Sequence, residues 1–301
     1  NFYKKNLHKK RNNSIRHTHN SAKKDADIWV YDINKLDGND NGLVKGAPFK
    51  SKSECAKCLN TTRNTVSKYL DSEKVFKNSL VFSSTKLPLE KLLSFQIPSA
   101  VCEIVTGELL GDGHISYDPN KPNINGRLEF TFSSKILHYV NYLKFIALSH
   151  ICTTSPPTPW ASKGATEPTQ YWFSSKRLPY FTNLFKVWYK QIGDAYIKVL
   201  PFNIEVLLTP LAIAHWIMGD GYFSDGTLKL CTDNFTKEEV LRLINILNVK
   251  YGIIATINKR TNSNDQVKWR IRISKLSMPK LISMVKPFMV PEMLYKLGEK
   301  K

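Results

Sequence analysis

Two stretches of the chain repeat one design. Val105-Thr-Gly-Glu-Leu-Leu-Gly-Asp-Gly113 and Ile213-Ala-His-Trp-Ile-Met-Gly-Asp-Gly221 are apolar helical segments that both end in Gly-Asp-Gly. The segments after them also match. Each has a strand of alternating apolar residues (128–132; 228–232), an amphipathic helix (136–147; 237–249), a later strand (170–174; 267–273) and a closing helix (178–189; 278–288). Asp112 and Asp220 are 108 positions apart, whereas the strand starts Leu128 and Leu228 are 100 apart. The first copy therefore carries eight extra residues in its Pro/Asn-rich loop around Asp118–Gly126. The spacing predicts an α+β chain with a duplicated α-β-β-α-β-β-α unit, over residues 86–202 and 203–301.

One Gly-Asp-Gly carries little information, because glycine often terminates helices and aspartate is common in turns. Two copies at the same point of a repeat carry more. Each carboxylate falls at the negative end of a helix dipole, a place that favours it only with a cation nearby. Two such carboxylates together, with carbonyl oxygens and water, make the oxygen set that Mg²⁺ takes beside a phosphate. Gly107 and Gly111 are about one helical turn apart and leave a bare face for a second helix. The two motif helices are therefore expected to pack closely and to bring Asp112 and Asp220 to one spot. His215 stands where the first copy has Gly107, so this interface is expected to be asymmetric, and His215 and His114 read as structural.

Charge names the class of partner. The 301 residues hold 44 Lys+Arg against 25 Asp+Glu, a formal net charge of +19, which favours a polyanion and nucleic acid first. No stretch approaches the roughly 18 uninterrupted apolar residues of a spanning helix, so a membrane is not expected as partner. Val206–Met218 is interrupted by Thr209, Pro210 and His215 and reads as a buried helix behind a turn. The five cysteines are odd in number and scattered, which argues against a disulfide framework and fits a reducing compartment. Cys55-Ala-Lys-Cys58 has zinc-like local spacing without a matching second pair.

The chain before the repeat divides into a basic arm, 1–26, and a small module, 27–85. Residues 1–24 hold eight Lys/Arg and no acid, and read either as a solvated arm or as an organelle-targeting segment. Next come a strand at 29–33, loop chemistry over 37–42, and a helix capped by Ser51 or Ser53 that runs through Leu59. Asn60–Thr62 turns the chain into a second helix, 63–70, whose apolar residues leave Arg63, Asn64, Ser67 and Lys68 facing outward. That face is either a helix that enters a DNA major groove or the solvated side of an ordinary helical hairpin.

The two motifs resemble those of the LAGLIDADG homing endonucleases. Leu208-Thr-Pro-Leu-Ala-Ile-Ala-His-Trp-Ile-Met-Gly-Asp-Gly221 is similar to the single-chain, double-motif enzymes encoded by yeast mitochondrial ribosomal RNA introns, and Val290-Pro-Glu-Met-Leu-Tyr-Lys-Leu297 resembles the same subgroup. The likeness spans about residues 95–298. It implies a monomeric mitochondrial enzyme that uses Mg²⁺, or Mn²⁺ in its place, to break both strands of a long asymmetric DNA site and so promote intron mobility. It also implies that Asp112 and Asp220 are metal ligands and catalytic carboxylates, with Gly111 and Gly219 as further metal-site positions. Lys198 and Lys296 would be the paired basic residues.

In this family each copy forms a saddle-like antiparallel sheet in the major groove, and the acids meet over the minor groove. Arg127, Glu129, Thr131, Lys229, Arg270 and Arg272 are the base-reading candidates this implies, with strand parity left open. Residues 49–83 resemble the modular DNA-binding repeats appended to intron-encoded nucleases, which favours the groove-entering reading of Arg63, Asn64, Ser67 and Lys68. The alternative on the same scaffold is an intron RNA maturase, which needs the basic surface but not the acids.

Overall fold

A computed structural model of the chain describes residues 27–36, 41–72, 74–77, 79–93, 95–261 and 266–299. The basic arm expected over 1–26 lies outside the described residues. Contacts divide the chain into one unit formed by 1–74 with 80–89 and another formed by 75–79 with 90–301.

In the first unit, β1 (Trp29–Asp32), α1 (Lys52–Cys58), α2 (Arg63–Tyr69) and β2 (Leu80–Ser83) succeed one another in order, and β1 pairs antiparallel with β2. The side-chain oxygen of Ser51 caps α1 by accepting from the Glu54 amide, and that of Thr62 caps α2 by accepting from the Thr65 amide. Between the helices Asn60 adopts φ 48°, a left-handed turn that asparagine tolerates. Cys55, Ala56 and Val66 are buried, and Arg63, Asn64, Ser67 and Lys68 all lie on the exposed side of α2. A short helix α3 (Leu89–Leu93) comes next.

The second unit contains both copies of the repeat. The first runs α4 (Ser99–Leu110), β3 (His114–Ser116), β4 (Arg127–Ser133), α5 (Leu137–Tyr142), β5 (Thr158–Trp160), β6 (Gln170–Ser174) and α6 (Pro179–Trp188). A hairpin of β7 (Tyr189–Ile192) and β8 (Ala195–Lys198) ends it. The second copy begins with α7 (Ile204–Leu207) and runs α8 (Pro210–Asp220), β9 (Gly221–Ser224), β10 (Thr227–Cys231), α9 (Lys237–Tyr251), β11 (Ala255–Thr261), β12 (Val267–Ile273) and α10 (Met278–Val285). The sheet orders β3-β4-β6-β5 and β9-β10-β12-β11 match strand for strand. The loop between the first two strands is 117–126 in the first copy and only Asp225–Gly226 in the second, which locates the eight-residue insertion.

Alternation decides which sheet face is buried. Leu128, Phe130 and Phe132 of β4, and Leu228, Leu230, Ile271 and Ile273 of β10 and β12, enter one core shared by the two copies. The motif helices are buried almost all round, as helices at the centre of a fold must be. They meet at Gly107, where an added Cβ would overlap the Ala212 carbonyl oxygen and come within 2.8 Å of His215 Cβ. The expected asymmetry is present, and it is polar. Glu108, Tyr139 and His215 are each fully buried; the Tyr139 hydroxyl donates to Glu108 Oε1 at 2.6 Å, and His215 Nδ1 lies 2.8 Å from the same oxygen.

Three helices differ from the sequence expectation. The 136–147 segment is a 3₁₀ turn, then α5, then a π turn over Leu143–Ala147. This wider turn accommodates Lys144, which is only 2% exposed and holds its ammonium 5.5 Å from the Phe173 ring centroid. The closing helix of the second copy stops at Val285, because Pro287 has no amide to continue the ladder, and residues 286–288 tighten to 3₁₀. In the first copy the closing helix stops at Trp188, and the hairpin after it was not expected.

Gly107→Ala should lower stability by about 1–3 kcal/mol, the usual cost of overpacking a tight interface. Chemical denaturation of the full chain measures it; a midpoint equal to that of the parent would mean the helices do not meet at Gly107.

Candidate active site

Both motif helices run out at glycine, and that brings their acids together. Asp112 comes directly after the Gly111 cap of α4, and Asp220 is the last residue of α8. A Cβ on Gly111 would meet the Asp220 side chain at 3.6 Å, and one on Gly219 would meet Asp112 Oδ2 at 3.5 Å. Each aspartate thus packs beside the glycine that precedes the other. They line a cleft of about 670 Å³ with Lys198, His114, Tyr189, Tyr196, Ile197 and Asp233 among its walls.

The lysines sit at the helix ends. Lys198 Nζ donates to the Gly113 carbonyl at 2.7 Å and is 3.5 Å from that of Gly111, while Lys296 Nζ donates to the carbonyls of Met218 at 2.6 Å and Gly219 at 2.5 Å. Each therefore satisfies carbonyls that a helix C-terminus leaves without an intrahelical partner, where its charge is also favoured. The Gly111 and Gly219 carbonyls expected as further metal-site positions are the ones these ammonium groups approach.

Loss of water dominates the electrostatics. It pushes Asp220 up to about 7, with the Asp112 charge adding to the rise and the two lysines opposing it. Asp112 opens to solvent at the cleft mouth, yet it too is raised, first by the protein crowding it and then by the charge of Glu108. Lys198 is pushed down to about 8 by the same desolvation, which the aspartates resist, and Lys296 is lowered for the same reason. Two carboxyls crowded together in a partly dry cleft, with the charge of Asp112 raising Asp220, are suited to a shared divalent cation, which would relieve the repulsion. Among the described residues no cluster of three or more His, Cys, Asp or Glu side chains forms a metal cage. A two-carboxylate set fits Mg²⁺, which usually keeps several waters and binds through one or two carboxylates together with substrate phosphates.

The structure settles strand parity. Arg127, Glu129 and Thr131 alternate with buried residues of β4, and Lys229 pairs across from Arg272 as Cys231 does from Arg270, so all six candidates lie on the faces turned away from the core. Four of them are held by ion pairs. Arg127 binds Glu129 at 2.5 Å, Lys229 binds Asp225 at 2.6 Å, and Arg270 grips Asp233 at 2.6 and 2.9 Å. Thr131 and Arg272 are exposed. Asp233 was missed in the sequence, where Thr232-Asp-Asn reads only as turn chemistry. Glu108 was missed because it sits in a mostly apolar motif helix, and Tyr139 because it falls on the apolar side of an amphipathic one. His215 is inaccessible within the helix interface, whereas His114 lies on the cleft wall 3.4 Å from Glu129 and has its pKa lowered, chiefly by burial. Of the cysteine pair in the first unit, Cys55 is buried and Cys58 exposed.

Comparison with known proteins adds kinship. Residues 102–281 match the model of the LAGLIDADG DNA endonuclease family. The chain is 35% identical over 205 residues to the cytochrome b mRNA maturase bI2 of Saccharomyces cerevisiae, which aligns 66% of this chain but 47% of that one. It is 37% identical over 200 residues to the protein of the same name from Debaryomyces hansenii, aligning 65% of this chain and 72% of that one. Over 213 residues it is 25% identical to the DNA endonuclease I-ChuI of Chlamydomonas applanata, at 65% and 94% coverage. The homing endonuclease I-WcaI, solved bound to its DNA recognition sequence, superposes with a TM-score of 0.56 at 24% identity, covering 70% of this chain and 94% of that one. That likeness is one of fold.

The shifted carboxyl has a consequence for stability. Between its ordinary value of 3.8 and about 7, folded Asp220 keeps a proton that the unfolded chain has released, so stability falls as pH rises through that window. Lys198 acts oppositely: between about 8 and its ordinary 10.5 the fold has lost a proton that the unfolded chain keeps, so stability rises with pH there. Without divalent metal, Asp220→Asn should therefore melt above the parent at about pH 8 and level with it at about pH 4. Mg²⁺ should raise the melting temperature of the parent and not of the variant; calorimetry with and without chelator checks both.

Proposed function

Because this chain belongs to the LAGLIDADG DNA endonuclease family, we propose that it is a site-specific homing endonuclease that makes metal-dependent breaks in both strands of a long, asymmetric duplex site. Cutting of this kind would promote movement of the intron that encodes it. The observation that carries the reading is the meeting of Asp112 and Asp220, one from each copy, in a single cleft that Lys198 also lines, with Lys296 buried at the end of α8 beside Asp220.

Asp112 and Asp220 would hold Mg²⁺, or Mn²⁺ in its place, and the bound ion supplies positive charge to the scissile phosphates. The residues themselves do the positioning. Both ammonium groups are fixed by carbonyls at the helix ends, so they approach a phosphate oxygen or the attacking water without reorganising. On the sheets, Arg127, Lys229 and Arg270 are preorganised by carboxylate partners that a guanine edge or a phosphate can replace, while Thr131 and Arg272 are already free to approach DNA. Arg63, Asn64, Ser67 and Lys68 on the outer side of α2 add contacts to flanking DNA. We take the enzyme to act as a monomer, in mitochondria, in keeping with relatives named for cytochrome b mRNA.

The maturase names favour one second reading: an RNA-binding cofactor of intron splicing on the same scaffold. It uses the basic surface and leaves the paired acids without a task, so the cleft favours the nuclease.

Asp112→Asn or Asp220→Asn should abolish cutting of duplex DNA while leaving affinity largely intact, because metal chemistry and groove contacts are separate contributions. Lys198→Met or Lys296→Met should slow cutting without moving the cut. Cleavage-site selection with purified protein and Mg²⁺, followed by strand-resolved rates, reads all four, and undiminished cutting by either Asp variant would sink the reading. A paired change, Arg63→Ala with Lys68→Ala, should shorten the footprint on one side and reduce the salt slope by up to about two, at about 0.9 for each phosphate no longer neutralised. An unchanged footprint would remove α2 from the interface.

A further inference from the structure

Among the described residues the hairpin Tyr189–Lys198 has no counterpart in the second copy. There, Lys296 sits on a compact 3₁₀ helix, Pro291–Leu297, and is 8% exposed. Lys198 instead ends a two-stranded ribbon, an element that is marginal by itself in water and needs anchors. It has them on one face. Tyr189 stacks on Phe185 at 4.7 Å and its hydroxyl accepts from the Ile115 amide, the Tyr196 ring lies 5.1 Å from Phe185, and Lys198 donates to Gly113. Pairing of Tyr189 with Lys198 and of Gln191 with Tyr196 puts these four on the same face.

The other face holds Lys190, Ile192, Ala195 and Ile197. Ile192 is 53% exposed and Ile197 43%, and nothing lies within 4 Å of a Cβ built at the Gly193 tip. This apolar pair on an anchored ribbon is left largely uncovered by the rest of the described chain. Its position is informative, because Tyr189, Tyr196, Ile197 and Lys198 line the same cleft as Asp112 and Asp220. A phosphate held at the acids would therefore lie beside residues of the ribbon. Duplex DNA has an apolar surface to offer there: the deoxyribose walls of the minor groove, against which aliphatic side chains pack, with phosphates at the rim for Lys190.

We propose that the Tyr189–Lys198 ribbon is a one-sided DNA-positioning element, with Ile192 and Ile197 packing in the minor groove beside the phosphate served by Lys198. This rests on the nuclease reading. It makes the two strands unequal: the phosphate beside Lys198 is placed by the ribbon, and the one beside Lys296 is not.

The test uses the full chain and the duplex recovered by selecting cleaved sites from a randomised library. In Ile192→Ser/Ile197→Ser, cutting of one strand should fall about tenfold while the other stays within about twofold. Hydroxyl-radical protection of a few deoxyriboses at one side of the cut should disappear. The conservative pair Ile192→Val/Ile197→Leu should keep both the rates and the protection, which separates a missing apolar surface from a misfolded ribbon. Unchanged rates and protection in the serine variant, or equal slowing of both strands, would overturn the proposal while leaving the nuclease reading in place. A parent chain that cuts no duplex in the library would remove that reading, and this inference with it.

Discussion

The rest of the second unit depends on the close approach of two helices at Gly107. With no side chain there, the backbone of α4 reaches the Ala212 carbonyl of α8, and every later placement derives from that contact. Because the helices touch, their C-terminal ends converge, and the residues after the last turns face each other across one cleft. The helices also carry a sheet each, so the same contact fixes where the two outer sheet faces stand relative to two acids. A hydrophobic core of this kind is non-directional and would tolerate sliding. Glu108, Tyr139 and His215 supply direction: the hydrogen bonds that Tyr139 of the first copy and His215 of the second make to Glu108 Oε1 form in one register and break in others.

That packing has an electrostatic consequence. Converging C-termini place carbonyl dipoles and two carboxylates of the same sign in a partly dry space, an arrangement with no intrinsic stability. Lys198 and Lys296 offset it from opposite sides, each bonded to the carbonyl end of its own motif helix. The formal charges of the two acids and two lysines cancel, but the geometry keeps them from annihilating as ion pairs, since the ammonium hydrogens are directed to main-chain oxygens. The carboxylates therefore remain available to a cation, and burial leaves Asp220 with a raised affinity for a proton when none is bound. Instability of this kind is common where a site is shaped for a charge that arrives with its ligand.

Much of this was legible in the sequence, and the reason is periodicity. Repeated apolar spacing identified both motif helices, the 128–132 and 228–232 strands and the insertion near Asp118–Gly126, because each reflects a burial pattern that only one kind of element satisfies. Gly-Asp-Gly at matching points identified the acids. The hidden part depends on neighbours distant in sequence. Nothing local says that Glu108 and Tyr139 will meet His215, or that Lys144 will find the face of Phe173 through a π turn. Asp233 has no local signal for a role, since its grip by Arg270 joins residues 37 positions apart. The Tyr189–Lys198 ribbon escaped because its apolar residues alternate over only four positions a side, too few to show a period, with Gly193-Asp194 as the sole turn signal.

The two copies also show where a duplicated fold is free to change. Aligned by the strand offset, the inward positions of β4 and β10 stay apolar, Leu128 with Leu228 and Phe130 with Leu230, because both feed the shared core. The outward positions do not match at all. Glu129 faces Lys229 in the alignment, and Thr131 faces Cys231. Across the sheets the contrast widens: on the outer face of the second sheet Arg260, Lys268 and Arg272 add positive charge to the carboxylate-paired Lys229 and Arg270, whereas the first presents the indoles of Trp160 and Trp172 beside an internally neutralised Arg127–Glu129 pair. Packing constrains one side of each strand and leaves the other to whatever the surface contacts. Two faces of such different chemistry on one symmetric frame are what a partner with two unlike halves would require, and a palindromic partner would give no reason for them to diverge.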